Sequence, residues 1–181
     1  MTDGVIGPEL IERWALGYLG RYSSSESNLR RVLLRRLRRR LPAGCDASPP
    51  VAAAVEAVVA RYRRAGLLDD AAYAEGQARS WHRRGTPSTL IRLRLIAKGV
   101  TEGVAADAVA KLCAETADLD LGAACAFARR RRLGPYRRGP AEPARELAAF
   151  ARAGFGRRVA QAVLACADVS AVEELARRGG D

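Results

Sequence analysis

Gly66 Leu67 Leu68 Asp69 Asp70 Ala71 Ala72 Tyr73 Ala74, followed by Arg83 Arg84 Gly85 Thr86 Pro87 and then by Lys98 Gly99 Val100, decides how this chain folds. Glycine ends a helix because it enters the left-handed conformation without steric cost, and the apolar pair Leu67 Leu68 closes the unit before it. An acidic pair opens the next helix: Asp69 or Asp70 satisfies free N–H groups at its start, and Tyr73 falls on the buried face three to four residues on. That first helix reaches about Arg83. Thr86 with Pro87 starts a second that stops at Gly99, and Thr101 starts a third. Leu90, Ile91, Leu95 and Ile96 predict the apolar stripe of the second helix, and Val104, Ala108, Val109 and Leu112 that of the third.

The pattern recurs. Leu95, Gly99, Val100, Val104 and Val109 reappear fifty-five residues later as Phe150, Gly154, Phe155, Val159 and Leu164. Self-similarity over such a span marks repeated supersecondary units. The expected fold is therefore all-α, a tandem repeat of three three-helix units forming an elongated, curved scaffold. Unit 1 spans residues 8–66, with an inserted surface loop at about 41–50; unit 2 spans 67–115 and unit 3 spans 116–168. Residues 169–181 form a short C-terminal helix and tail, and residues 1–7 are expected to be disordered. In unit 3 the first helix runs from about Leu119 to Arg132, the second begins at Pro143 and the third follows Gly154. Composition agrees: aromatic residues make up only 6% of the 181 residues, and β-branched runs bounded by turn residues are scarce, so no strands are expected.

The order Gly-Leu-Leu-Asp-Asp, then Tyr73-Ala74, then Arg84-Gly85 before a helix ending in Lys98-Gly99-Val100, resembles the RecX family, and the likeness runs from about Ile11 to Cys166. Arg94 departs from it, where many members carry an acidic residue. The resemblance implies a small all-helical regulator that binds the filament of RecA recombinase on single-stranded DNA and lowers its ATPase and strand-exchange activity. It would act in homologous recombination, DNA repair and the SOS response. The implied partners are the RecA filament and single-stranded DNA, met directly or within the filament.

Charge is compatible with such partners. The chain carries 31 Lys and Arg against 20 Asp and Glu, a net charge of +11, which attracts polyanions or acidic protein surfaces. Three clusters carry it. Residues 30–40 hold seven arginines, Arg30, Arg31, Arg35, Arg36, Arg38, Arg39 and Arg40, around the apolar stripe Leu29, Leu33, Leu37. Ser23, Ser24 and Ser25 with Glu26 and Ser27 read as the turn and cap before this helix. Arg129, Arg130, Arg131, Arg132, Arg137 and Arg138 flank Leu133-Gly134-Pro135-Tyr136. Arg79, Arg83, Arg84, Arg92, Arg94 and Lys98 form the third group. Guanidinium forks suit phosphates and carboxylates, while a solvated helix face or the negative end of a helix dipole accounts equally for arginines in a last turn. Tyr136 reads either as a stacking platform for a base or as a tyrosine packed under its loop.

Catalytic parts are wanting. Asp69 and Asp70 sit at a helix start and read as caps, and His82 is the only histidine. No phosphate-binding glycine loop, dinucleotide fingerprint or HExxH segment is present, so neither an enzyme nor a cofactor is expected. Cys45, Cys113, Cys125 and Cys166 are widely spaced and read as buried free thiols. No run approaches the length of a membrane span, so the expected location is cytoplasmic, with no membrane partner and a monomeric state. The alternative function is an autonomous DNA-binding protein of helix-turn-helix type, although neither Pro87-Ser88-Thr89-Leu90 nor Thr101-Glu102-Gly103 resembles the start of a base-reading helix.

Overall fold

The computed structural model describes residues 7–40 and 49–178. Most of the inserted loop, Cys45 and nearly all of the N-terminal stretch expected to be disordered lie outside the described residues. Among those residues there are ten α-helices, one 3-10 turn and no strand. In chain order they are α1 (Pro8–Leu19), α2 (Glu26–Arg38), α3 (Pro49–Arg64), α4 (Asp70–Arg83), α5 (Ser88–Ala97), α6 (Glu102–Ala114), α7 (Leu119–Arg131), the 3-10 turn Gly134–Tyr136, α8 (Pro143–Arg152), α9 (Arg157–Leu164) and α10 (Val169–Arg178).

They form two compact units. One comprises Met1–Tyr73 with Lys98–Val100, the other Ala74–Ala97 with Thr101–Asp181. In the first, α1, α2 and α3 pack mutually around Ile11, Ala15, Leu29, Leu33, Leu37, Val55, Val59 and Tyr62, with Leu68 closing the end of the core. In the second, α7, α9 and α10 bury Phe127, Val159, Val163 and Val172 with Phe150 of α8 and Phe155 beyond it. The three phenylalanine rings lie with centroids 5.2–5.7 Å apart, two of the pairs edge to face. Such pairs add about 0.5–1.5 kcal/mol each beyond the area they bury.

The repeat read from the sequence has a structural counterpart. Leu95 and Phe150 are both fully buried, Val100 and Phe155 are nearly so, and Gly99 and Gly154 have φ of 87° and 89°. In each copy the glycine turn lies against the start of an earlier helix. A Cβ on Gly99 would lie 2.5 Å from the side chain of Ser27, in the first turn of α2, and one on Gly154 would lie 3.4 Å from Cγ of Pro87, just before α5. An aspartate caps the same two helices from another part of the chain. Asp70 Oδ1 accepts from Glu26 N at 2.8 Å, and Asp120 Oδ1 accepts from Ser88 N at 2.7 Å.

Several expectations need correction. Of the pair Leu67-Leu68 only Leu68 is buried; Leu67 is 55% exposed, because the Schellman turn at Gly66 spends its N–H on Tyr62 O and turns its side chain outward. Ile96 is 36% exposed and lies off the α5 stripe, which consists of Ile91 and Leu95 with Leu90 half-buried. Cys113 is exposed rather than buried, being in the last turn of α6 next to Leu112, which takes the core position. Helix α7 ends one residue early, at Arg131, since Arg132 adopts φ 58° and ψ 50°. The expected acidic cap of α4 is present: of the two candidates Asp69 fills it, accepting from Ala71 and Ala72, and Asp70 serves α2.

Candidate nucleic-acid and partner interface

Helix α2 is locked from its N-terminus. Ser25, fully buried, accepts from Asn28 N at 3.2 Å and donates its hydroxyl to Lys98 O at 2.6 Å. Asn28 in turn donates to Tyr18 Oη and Ser24 Oγ. These bonds, with the Asp70 cap, hold the helix in one rotation about its axis, and Leu29, Val32, Leu33 and Leu37 face the core. What remains outward is basic.

The seven arginines of residues 30–40 divide by contact. Arg30 pairs with Glu56 at 2.6 Å, and that partner raises its guanidinium pKa above the ordinary value. Arg36 donates to Trp14 O at 3.3 Å, and Arg40 lies over the Trp14 ring, 5.7 Å from its centroid. Arg31, Arg35, Arg38 and Arg39 are exposed and have no carboxylate within 4.0 Å among the described residues. Residues 31, 35 and 38 follow helical spacing on the face opposite the buried stripe and span about 10 Å along the axis. Arg31 also passes over Gly99, its Nη2 lying 3.5 Å from where a Cβ would stand. The Lys98–Val100 turn, with exposed Lys98, thus adjoins the N-terminal half of α2.

The second cluster surrounds a cavity of about 570 Å3. Arg130, Arg131 and Arg132 enter it from the end of α7, Arg137 and Arg138 from the loop after the 3-10 turn, and Arg145 and Arg152 from α8. Only two carboxylates join them, Glu142 and Glu146. Glu146 is buried, accepting from Gly134 N at 3.3 Å and pairing with Arg137 Nε at 3.2 Å. Glu142 pairs with Arg145 at 3.2 Å. Arg130 lies over the Phe127 ring, while Arg131, Arg132, Arg138 and Arg152 have no ion-pair partner among the described residues. Arg129 is exposed and does not line the cavity. Tyr136 is half-buried against the core of its unit, so packing accounts for it. Sequence reasoning passes over Arg145 and Arg152, although their spacing of seven on one helix was a signal that both share a face.

The third group does not assemble into one face. Arg79 pairs with Glu115 at 2.7 Å, Arg92 with Glu102, and Arg84 bonds Ser80 O at 3.1 Å. Arg94, at the position that departs from the family pattern, donates to Thr86 Oγ1 at 3.2 Å and lies over the Trp81 ring. Arg83 is exposed without a carboxylate partner among the described residues, and Lys98 belongs with α2.

Other chemistry has little to work with. His82 Nε2 lies 2.9 Å from Leu119 O, a structural bond between the ends of two helices. Burial pushes the Cys125 thiol up to about 11, so it stays protonated and unreactive at neutral pH. Among the described residues no three His, Cys, Asp or Glu side chains converge as metal ligands, and no helix is long and apolar enough to cross a membrane.

No protein-family model matches the sequence. Individual proteins do. The chain is similar to the Regulatory protein RecX of Myxococcus xanthus, 40% identical over 163 residues that cover 88% of this chain and 86% of that protein. It is also similar to the Regulatory protein RecX of Agrobacterium fabrum, 36% identical over 157 residues, covering 83% and 79% respectively. A solved crystal structure of a regulatory protein RecX shares its fold with a TM-score of 0.60 at 24% identity, covering 86% of this chain and 70% of that one. Identity of this extent over most of both sequences, together with an all-helical fold that a solved member shares, establishes that the chain belongs to the RecX family of regulatory proteins.

Proposed function

We propose that this protein modulates RecA recombinase, mainly as an inhibitor, by binding the RecA filament on single-stranded DNA and lowering its ATPase and strand-exchange activity. It would thereby regulate homologous recombination, DNA repair and the SOS response. The observation that carries the reading is the stripe of unpaired arginines, Arg31, Arg35 and Arg38 with Arg39, on a helix whose other face is fixed in a core. A rigid helix presenting guanidiniums at regular rise meets successive phosphates or carboxylates of a filament with little conformational entropy left to lose. The division into three three-helix units belongs to the same proposal: the glycine turn and the aspartate cap found twice are the devices that would join one unit to the next. The protein acts in the cytoplasm as a monomer, by binding rather than by chemistry.

The helix-turn-helix alternative fares worse. Thr86 and Pro87, at the start of α5, are buried, and Ser88 N and Oγ are both spent on Asp120, so this end has no free edge for a groove. The first residue of α6, Glu102, is acidic and paired with Arg92, which repels phosphates.

The test is RecA ATPase on single-stranded DNA, titrated at two salt concentrations with the wild type and with the quadruple variant Arg31→Ala, Arg35→Ala, Arg38→Ala, Arg39→Ala. Wild-type inhibition is expected well below one protein per recombinase protomer, and the variant loses at least about tenfold in potency with unchanged thermal stability. Inhibition seen only near saturation of the DNA and lost at moderate salt would mean mere competition for phosphates. Undiminished inhibition by the variant would remove α2 from the interface.

A further inference from the structure

We infer that the cavity between α7, the 3-10 turn and α8 is a separate binding site for linked phosphate groups, supplied either by the backbone of one nucleic-acid strand or by a free polyphosphate such as a nucleoside triphosphate. The reading does not depend on recombinase, because the cavity is assembled within one compact unit of this chain.

Three observations converge. First, the site is built. Buried Glu146 ties the Gly134 N–H and the Arg137 guanidinium together, and exposed Glu142 pairs with Arg145, so both carboxylates have a cationic partner and the lining keeps an excess of arginines. Second, the remaining cations are held close together without partners. Arg131, Arg132, Arg138 and Arg152 line one space of about 570 Å3, within the range of small-ligand sites, and their shared positive field draws a multivalent anion more strongly than a monovalent one. Third, one of them is held in a costly conformation. Helices α3, α4 and α8 end on the positive-φ glycines Gly66, Gly85 and Gly154, whereas Arg132 occupies the equivalent left-handed position after α7 at φ 58°. Leu133 N bonds to Ala128 O at 3.0 Å there, as Phe155 N bonds to Phe150 O at 3.1 Å after α8. Glycine would fill that place at lower free energy, and the residue found instead brings a guanidinium to the cavity edge.

Chemistry favours phosphate over carboxylate. Planar guanidinium forks bond two oxygens of a phosphate or of a carboxylate alike, but linked phosphates deliver several charges within a few ångströms, which separate carboxylates do not. The uncharged side chains of the lining are only Leu133, Pro140 and Ala149, too little apolar surface to anchor the side chains of an acidic peptide. Tyr136 faces the core, so no aromatic platform reads a base, and binding is expected to be independent of nucleotide sequence.

The experiment is isothermal titration calorimetry on the full chain, without recombinase, using inorganic tripolyphosphate, a short oligodeoxythymidylate and an oligoglutamate peptide as probes. The wild type is expected to bind tripolyphosphate. The variant Arg131→Ala, Arg138→Ala, Arg152→Ala is expected to lose at least about tenfold, while a charge-matched control, Arg13→Ala, Arg21→Ala, Arg64→Ala, loses less than about twofold, both retaining the wild-type circular dichroism. Competition between tripolyphosphate and the oligonucleotide identifies the strand as the source; tripolyphosphate binding without oligonucleotide binding identifies a free polyphosphate. Equal losses in both variants, tighter binding of oligoglutamate than of tripolyphosphate, or no tripolyphosphate binding would each overturn the site. Because no recombinase is present, failure of this test leaves the ATPase experiment to decide the regulatory reading independently.

Discussion

The turn at Gly99 and the turn at Gly154 are the same device built to different tolerances. Both glycines stand near φ 90° just after a ten-residue helix, both precede a buried apolar residue, and both lie against the start of an earlier helix that an aspartate caps. At Gly99 the approach is close, with the Ser27 side chain 2.5 Å from a would-be Cβ; at Gly154 the nearest atom, Pro87 Cγ, is 3.4 Å away. The second site takes its tightness from elsewhere. Gly85, in the turn between α4 and α5, would place a Cβ 2.5 Å from Phe127 N and 2.8 Å from Ala123 O, so backbone there lies directly on backbone. A repeat thus keeps the outline of a joint while the atoms that limit it differ: Cβ and Oγ of Ser27, the Cβ held in place by the backbone of α2, in one case, and the main chain of α7 in the other.

The largest expected effect follows from that contrast. Gly85→Ala should cost more than about 3 kcal/mol, since positive φ and a clash with main-chain atoms of α7 add, and urea denaturation or loss of soluble yield would register it. A cost below that of Gly99→Ala would break the comparison. Gly99→Ala comes next at about 2–3 kcal/mol, combining left-handed strain with displacement of Ser27, whereas Gly154→Ala should cost only the strain, about 1–2 kcal/mol. Equal urea midpoints for these two would show that the Ser27 contact yields freely. Removing a cap is smaller again. Asp70→Ala and Asp120→Ala should each cost about 1 kcal/mol, with Asp120→Ala the more costly because Asp120 also accepts from Ser88 Oγ at 3.2 Å. The smallest effect has the opposite sign: Arg132→Gly should stabilise by about 0.5–1 kcal/mol, seen as a higher melting temperature, while weakening tripolyphosphate binding. A loss of stability in that variant would show that Arg132 is held by contacts that repay its conformation.

Much of this was legible before any coordinates. Helix order, the glycine stops and the fifty-five-residue recurrence rest on local rules of helix termination and on apolar spacing, which act within a few residues of chain. The RecX likeness rests on the same motif. The arginine clusters were visible as composition, but their sorting was not. Nothing in residues 30–40 announces that Arg30 will meet Glu56 or that Arg36 and Arg40 will turn to Trp14, since those partners arrive from α3 and α1.

The sequence by itself determined the all-helical class, the positions of most helix ends and the family, because backbone entropy, capping and hydrophobic periodicity are short-range. Only the tertiary structure decided which charges stay unpaired, that Asp70 serves a helix forty-four residues earlier in the chain, and that seven arginines surround one cavity. The physical reason is the same throughout: a charged group's role depends on which other groups approach within a few ångströms, and packing of distant segments sets that distance.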